Sequence, residues 1–249
     1  MIVFGHRGAS IELPENTLES FARALELGVD VIETDVHVTA DDHVVIHHDA
    51  SSQRMGCDPR LVRERSLEDL RRLNVGFGFR DRAGRGIVDR SFRIPTLSEA
   101  LEAFPTARFN IDIKPAVGAV HRVVHTVRSY GAEDRTLLTS FYDANVRAVR
   151  ALGYRGETGL SRGEVLLALA LPRFAPKFSR PKGQRIQLPP MLGRLRLASS
   201  RVITKLKSLG YAVDFWVVND PIQVTALFDA GADGVMTDDP ASVVPARRR

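Results

Sequence analysis

The chain alternates between short apolar runs of strand length and longer runs of helical spacing, and it keeps this rhythm over nearly all of its 249 residues. The runs at 2–4, 31–38, 108–113, 136–140, 156–160, 185–188, 212–218 and 234–236 have the length and residue types of strands. Between them lie segments with apolar residues three and four apart. In 17–27 these are Leu18, Phe21, Ala22, Ala24 and Leu25, with Gly28 as the stop. The segments 98–104, 117–130, 144–152, 163–171, 199–209 and 220–229 read the same way, the last followed by Gly231. Neighbouring parallel strands need a long crossover, and a helix is the usual one. Strands separated by helices therefore predict parallel βαβ units in an α/β fold. The length matches one (β/α)8 barrel, about 250 residues. Count and length favour a closed TIM barrel over an open doubly wound sheet, with a single domain over 1–249.

The rhythm breaks once. After the second strand, Asp41-Asp42 is a turn signal and 44–47 returns as a short strand, which predicts a small hairpin. Residues 50–95 form an irregular excursion with Gly76, Gly78, Gly84 and Gly86 and one helix at 67–73. No GxGxxG or GxxxxGK[ST] run is present, so the chain carries no nucleotide-binding fingerprint. Cys57 is the one cysteine, so no disulfide forms within the chain, in keeping with a reducing compartment. The first apolar run leads straight into a polar cluster and leaves no room for a signal peptide. The longest apolar stretch, 165–172, falls far short of the ~20 residues that span a bilayer. A cytoplasmic protein is expected.

Polar residues gather at the ends of the strand-like runs. Glu33 and Asp35 are two apart on one strand, so their side chains share a face. Two acids at the C-terminal end of a barrel strand stand where barrel active sites lie, and they are costly to bury unless paired with a cation. Asp112 joins them from the next strand in barrel order, with Lys114 on its own face. Three carboxylates without clustered cysteines favour one hard divalent cation, Mg²⁺ or Ca²⁺. His6 and His48 end two other strand-like runs. Such a pair can divide proton transfer, one imidazole accepting from a nucleophile and the other donating to a leaving group. His47 should face away from His48, and His37, in register with Glu33 and Asp35, should sit at the strand end. Arg7 and Lys114 suit phosphate oxygens and equally suit neutralising the acids. Glu15, in Glu15-Asn16-Thr17, joins them as a substrate-binding candidate. Trp216 reads either as a core residue or as a wall against the apolar side of a ligand.

In order and spacing these clusters resemble the glycerophosphodiester phosphodiesterase family. The likeness runs through His6-Arg7-Gly8, Pro14-Glu15-Asn16-Thr17, Glu33-Thr34-Asp35, Val44-Val45-Ile46-His47-His48-Asp49, Pro95-Thr96-Leu97, Ser140-Phe141, Gln187-Leu188-Pro189, Trp216-Val217-Val218-Asn219 and the segment from Gly231 to Pro240. Each motif is short; their order across the chain is specific. The resemblance implies a (β/α)8 barrel, a divalent cation on Glu33, Asp35 and Asp112, and His6 and His48 as the acid–base pair. It implies a small phosphodiester substrate, glycerol phosphate esterified to a second alcohol. It also implies attack by a glycerol hydroxyl on phosphorus, followed by opening of the cyclic phosphate by water. The family usually has Glu where Asp112 stands, and often Thr where Val217 stands.

Charge adds a second theme. The formal charge is +5 and the pI about 9.7. Within 163–197, and at Arg162 just before it, basic residues interleave with leucines and prolines against the single acid Glu164. This stretch reads either as a solvated barrel loop or as a patch for peripheral contact with anionic membrane. The second reading would suit a lysophospholipase D using the same site. No recognition motif supports nucleic-acid binding. A non-catalytic anion-binding protein would have no need of the full set of histidines and acids. The sequence leaves the oligomeric state open.

Overall fold

A computed structural model describes residues 1–55, 58–87, 90–115 and 118–247. Cys57 and Val117 lie outside the described residues. The strands are β1 (Ile2–His6), β2 (Val31–Val38), β3 (Val44–Ile46), β4 (Arg108–Ile113), β5 (Thr136–Thr139), β6 (Arg185–Leu188), β7 (Met191–Leu192), β8 (Leu195–Arg196), β9 (Ala212–Phe215) and β10 (Gly234–Thr237). Seven of them run parallel in the order β5-β4-β2-β1-β10-β9-β6. The gap between β5 and β6 is filled by 157–160, the segment expected as a strand. It is too short and kinked for a regular strand, yet it bonds both neighbours. Leu138 N–H donates to Glu157 O, Gly159 N–H to Leu138 O and Leu160 N–H to Arg185 O, each at 3.0 Å. Thr158 and Gly159 form parallel bridges to Leu138 and Arg185. The ring closes as an eight-stave barrel. Gly159 is needed in that tight place, because a Cβ there would lie 2.6 Å from Thr139 Cγ2.

The helices are α1 (Leu18–Glu26), α2 (Leu67–Arg71), α3 (Leu97–Ala103), α4 (Ala119–Ser129), α5 (Asp143–Ala151), α6 (Arg162–Ala170), α7 (Ser200–Ser208), α8 (Pro221–Asp229) and α9 (Pro240–Ala246). Local chemistry starts them. Thr17, Ser66 and Ser199 cap with their hydroxyls, Asp220 and Asp239 with their carboxylates, and Thr96–Glu99 and Ser161–Glu164 form capping boxes. The helices pack apolar faces onto the outside of the sheet. Phe21 of α1, for example, meets Phe109 of β4 edge to face at 6.4 Å.

β3 pairs antiparallel with β2, as the expected hairpin requires. The excursion after it carries a small core of its own, with Met55, Val62, Leu70, Val75, Phe92 and Ile94 packed on Val45. Two elements depart from the sequence reading. The 212–218 run is a regular strand only to Phe215. Residues 191–196, expected as loop, form the β7–β8 hairpin, whose turn glycine, Gly193, has φ 58°. Among the described residues, no helix is long and apolar enough to cross a membrane.

Candidate active site

The parallel register sets the site. His6 stands opposite Glu33, and Glu33 opposite Asn110; two residues on, Asp35 stands opposite Asp112. One rung therefore holds His6 and Glu33, and the next holds Asp35 and Asp112, at the C-terminal end of the barrel. The period of two that put Glu33 and Asp35 on one face is realised.

Each group is held by named partners. His6 Nδ1 lies 2.6 Å from Asp238 Oδ1, and its Nε2 is 3.9 Å from Glu33 Oε2. Asp238 also accepts from Ser10 (3.1 Å) and from Asn219 Nδ2 (3.0 Å). The Arg7 backbone N–H donates to Glu33 Oε2 at 3.1 Å, from a left-handed residue with φ 57°. Arg7 Nη1 donates to Glu15 Oε1 at 2.9 Å, and its buried Nε, 3.4 Å from Asp35 Oδ2, has no well-formed hydrogen bond. Asn16 Nδ2 donates to Asp35 Oδ2 at 3.1 Å and takes a bond from Thr34 at 2.7 Å through Oδ1. Lys114 Nζ is 2.7 Å from both Asp35 Oδ1 and Asp112 Oδ2. His48 Nδ1 is 2.7 Å from Asp49 Oδ1, and Arg54 binds Asp49 Oδ2 at 2.5 Å.

Burial sets the electrostatics. Glu33 is pushed up to about 7, first by burial and then by repulsion from Asp35. Burial also lifts Asp112, although Lys114 opposes it. Asp35 goes the other way: burial raises it, but Lys114 and Arg7 outweigh burial and hold it below the ordinary aspartate range. Burial pulls His6 down, yet Glu33 and Asp238 more than reverse that, so its imidazolium is favoured. His37 is pushed down to about 4 by burial, and its Nε2 lies 3.2 Å from His48 O. It is therefore neutral and braces the loop that carries His48. His47 is buried with Nε2 3.2 Å from Ser51 O. Both fall where the strand register puts them.

Several expectations change on contact with this geometry. Glu15 is expected to touch substrate, but its oxygens accept from Arg7 and from Arg54 at 2.7 and 3.0 Å. In this structure it positions two guanidiniums. The three carboxylates share one mouth, but Lys114 lies between Asp35 and Asp112. Among the described residues, no three His, Cys, Asp or Glu side chains stand as a ready metal cluster. The donor set still fits a hard cation. Glu15, Glu33, Asp35, Asp49, Asp112 and Asp238 outnumber the permanent cations Arg7, Arg54 and Lys114, and Glu33 is the acid left with the least compensation. The oxygen of Asn110, buried in the same rung, has no hydrogen-bond donor among the described residues.

Trp216 is partly buried. It packs on the inner cluster of Phe4, Val31 and Met236, and it meets Phe141 edge to face at 5.9 Å. A cavity of about 330 Å³ opens beside His48 and Lys114, lined also by Asp49, Leu61, Arg63 and Tyr142. That is room for a small polyol phosphate.

The basic stretch divides. α6 descends from the mouth, so the chain from Leu171 to Gln184 lies at the opposite end of the barrel. There Arg180 donates to the carbonyls of Ala175 and Leu209, and Tyr211 OH donates to Pro181 O at 2.9 Å. Arg173, Lys177, Arg180 and Lys182 therefore cannot face a surface that the mouth also faces. The sequence reading placed Asn16, Asp49, Asn219 and Asp238 within its motifs but gave them no role, and it did not single out Arg54. Asp238 and Asn219 carried a signal, since each follows a strand-like run at its C-terminal end. Arg54 carried none among the many arginines of the excursion.

Three comparisons bear on this arrangement. Residues 6–242 match the family described as the Glycerophosphoryl diester phosphodiesterase family. A glycerophosphodiester phosphodiesterase of Caldanaerobacter subterraneus subsp. tengcongensis is 30% identical over 250 residues, covering 98% of this chain and 96% of the relative. The human lysophospholipase D GDPD1 is 30% identical over 271 residues, covering 96% of this chain and 83% of the relative. An Oleispira antarctica phosphodiesterase, solved in complex with the product sn-glycerol-3-phosphate, shares the fold with a TM-score of 0.81 at 24% identity. That match covers 100% of this chain and 97% of the other.

Proposed function

We propose, from the membership of this chain in the glycerophosphoryl diester phosphodiesterase family, that it hydrolyses glycerophosphodiesters to glycerol 3-phosphate and an alcohol. The observation that carries the reading is the joining of His6, Glu33, Asp35, Asp112, Lys114 and His48 at one mouth of the barrel. Relatives named for this activity match it end to end.

His6 and His48 are the proton-transfer pair. Asp238 and Glu33 favour the imidazolium of His6, which suits it to give a proton to the departing alkoxide. His48, oriented by Asp49, takes the proton from the glycerol hydroxyl that attacks phosphorus. The P–O bond to the second alcohol breaks as the ring closes. In the second step the roles reverse, and water opens the cyclic phosphate to the monoester. Arg7 and Lys114 hold the phosphoryl oxygens, with Glu15 fixing Arg7 and Trp216 walling the apolar side of the glycerol. Glu33, Asp35 and Asp112 would hold one divalent cation, Mg²⁺ or Ca²⁺. When bound it supplies charge neutralisation for the phosphoryl group.

The test is direct. Purified protein is given glycerophosphocholine, glycerophosphoethanolamine and lysophosphatidylcholine with Mg²⁺, Ca²⁺ or EDTA, and glycerol 3-phosphate is measured. We expect release from the soluble diesters with one of the cations and little with EDTA. Choline release without glycerol 3-phosphate, or turnover indifferent to EDTA, would overturn the reading.

A further inference from the structure

Beyond the substrate cavity, whose wall Tyr142 shares, the mouth of the barrel carries an exposed apolar surface. Phe141 and Tyr142, just past β5, are 54% and 49% exposed. Met191, Leu192 and Leu195 of the β7–β8 hairpin are 50%, 46% and 57% exposed. Leu188 ends β6, so the hairpin rises from the same end of the barrel as the site. Its base is closed by Leu197 N–H to Pro190 O at 3.0 Å. Phe141 follows β5 and Trp216 follows β9, so their 5.9 Å contact crosses the ends of the two staves between them. The hairpin follows β6, one of those two staves.

The hairpin register matters. Leu192 pairs with Leu195 across the turn, and Met191 pairs with Arg196. Successive residues point to opposite faces, so apolar side chains stand on both faces of a two-stranded element that has no sheet to cover it. Such a hairpin is marginal by itself, and exposed leucines do nothing for its folding. The charge on the hairpin itself has one sign, while beside Tyr142 stands Asp143, whose Oδ1 accepts from Gly163 N–H at 3.1 Å. Arg194 and Arg196 lie on the hairpin, and Arg162, whose N–H donates to Phe141 O, lies beside the aromatic pair. All three arginines are exposed and make no ion pair among the described residues. No acidic residue occurs from 189 to 198.

We propose that the β7–β8 hairpin, with Phe141 and Tyr142, docks the mouth of the barrel onto an anionic lipid surface. The leucines enter the headgroup layer and Arg162, Arg194 and Arg196 meet lipid phosphates. The site then opens toward the lipid, so a lysophospholipid can enter it headgroup first. That last step rests on the phosphodiesterase reading; the docking itself does not. Phe174 and Phe178, 89% and 92% exposed, lie at the other end of the barrel and take no part.

The experiment is co-sedimentation of the full chain with phosphatidylcholine vesicles, with and without phosphatidylglycerol. Four proteins are compared: the unaltered protein, Leu192→Glu with Leu195→Glu, Arg194→Ala with Arg196→Ala, and Phe174→Ala with Phe178→Ala. We expect the unaltered protein to sediment with the anionic vesicles, less so as salt rises. Each hairpin pair should weaken that partition by about tenfold or more, and the Phe pair should leave it unchanged. Circular dichroism confirms the fold of each variant. Hydrolysis of glycerophosphocholine should be equal in all four; its absence in all four would sink the phosphodiesterase reading alone. The docking proposal is overturned if the unaltered protein ignores both vesicle types. It is equally overturned if hairpin variants bind as well as the unaltered protein, or if binding is lost with Phe174 and Phe178 instead. Light scattering that finds a dimer which the hairpin variants dissociate would assign the surface to a second copy.

Discussion

The two ends of this barrel bury charge in opposite ways. At the N-terminal end, Arg185 Nε and Nη2 donate to Asp214 at 2.8 and 2.5 Å, and both residues are buried. The guanidinium also lies over the Phe4 ring at 5.5 Å. One cation meets one anion with bidentate geometry. At the C-terminal end, carboxylates crowd a few permanent cations, and burial pushes Glu33 up to about 7. The lower end is a matched pair that closes the barrel. The upper end holds unmatched charge, which only ligand, proton or cation can balance. The difference separates a part of the interior built for stability from a part built for chemistry.

The sharpest way to break that contrast is to remove a proton carrier from the upper end. His6→Ala and His48→Ala should each lower kcat by about 10²–10⁴-fold while the melting temperature stays near that of the unaltered protein. His47→Ala removes an imidazole that lies 3.2 Å from Ser51 O. It should cost some stability and leave kcat within about tenfold. Steady-state kinetics and thermal melts on the three variants decide it. Should His47→Ala be the damaging one, the assignment of His48 is wrong.

The lower end should respond the other way round. Asp214→Ala leaves the guanidinium of Arg185 buried without its partner, which costs about 3–5 kcal/mol. Chemical denaturation should show that loss, while turnover per folded molecule is nearly unaltered. A large fall in kcat for the folded fraction would mean that the two ends are coupled.

Glu33 lets pH test the imbalance. Its carboxyl titrates at about 7 in the folded protein, above the ordinary 4.5. Between those values the folded state holds a proton that the unfolded chain has released. The group's contribution to stability therefore falls as pH rises from the lower value through the upper one, then levels off. In EDTA, Glu33→Gln should stabilise the protein at about pH 8, by up to about 3 kcal/mol. The advantage should shrink toward about pH 5, where the folded state keeps its proton and the unfolded chain has begun to take one up. Denaturant melts across that range measure it. A variant less stable than the unaltered protein at the alkaline end would show that Glu33 is well compensated as it stands.

Much of this was legible in the residue order. The alternation of strand and helix runs gave the barrel, and a period of two on β2 put Glu33 and Asp35 on one face. What sequence could not show was closure across distance. Asp238 reaches His6 over 232 positions, and nothing local to either residue announces the bond. The stave at 157–160 has bridges rather than a ladder, since Gly159 must pass against Thr139. The basic stretch looked continuous as letters. Helix α6 carries part of it to one end of the barrel, and β6 returns the remainder to the other.

The smallest expected effect concerns Asp112, where the family usually has Glu. Asp112 Oδ2 is 2.7 Å from Lys114 Nζ, and Lys114 is shared with Asp35. An aspartate is one methylene shorter, so its carboxylate stays close to its own strand and reaches less far into the mouth. Asp112→Glu should bring the oxygens further toward Glu33 and Asp35 and strengthen the hold on a divalent cation. The metal concentration for half-maximal activity should fall by about threefold, roughly 0.7 kcal/mol, with kcat little changed. Titration of Mg²⁺ and of Ca²⁺ against hydrolysis of a soluble diester measures it, and calorimetry with the metal alone reads the affinity without turnover. A weaker affinity in both measurements would mean that the longer side chain collides with Lys114, and that Asp112 serves the lysine rather than the cation.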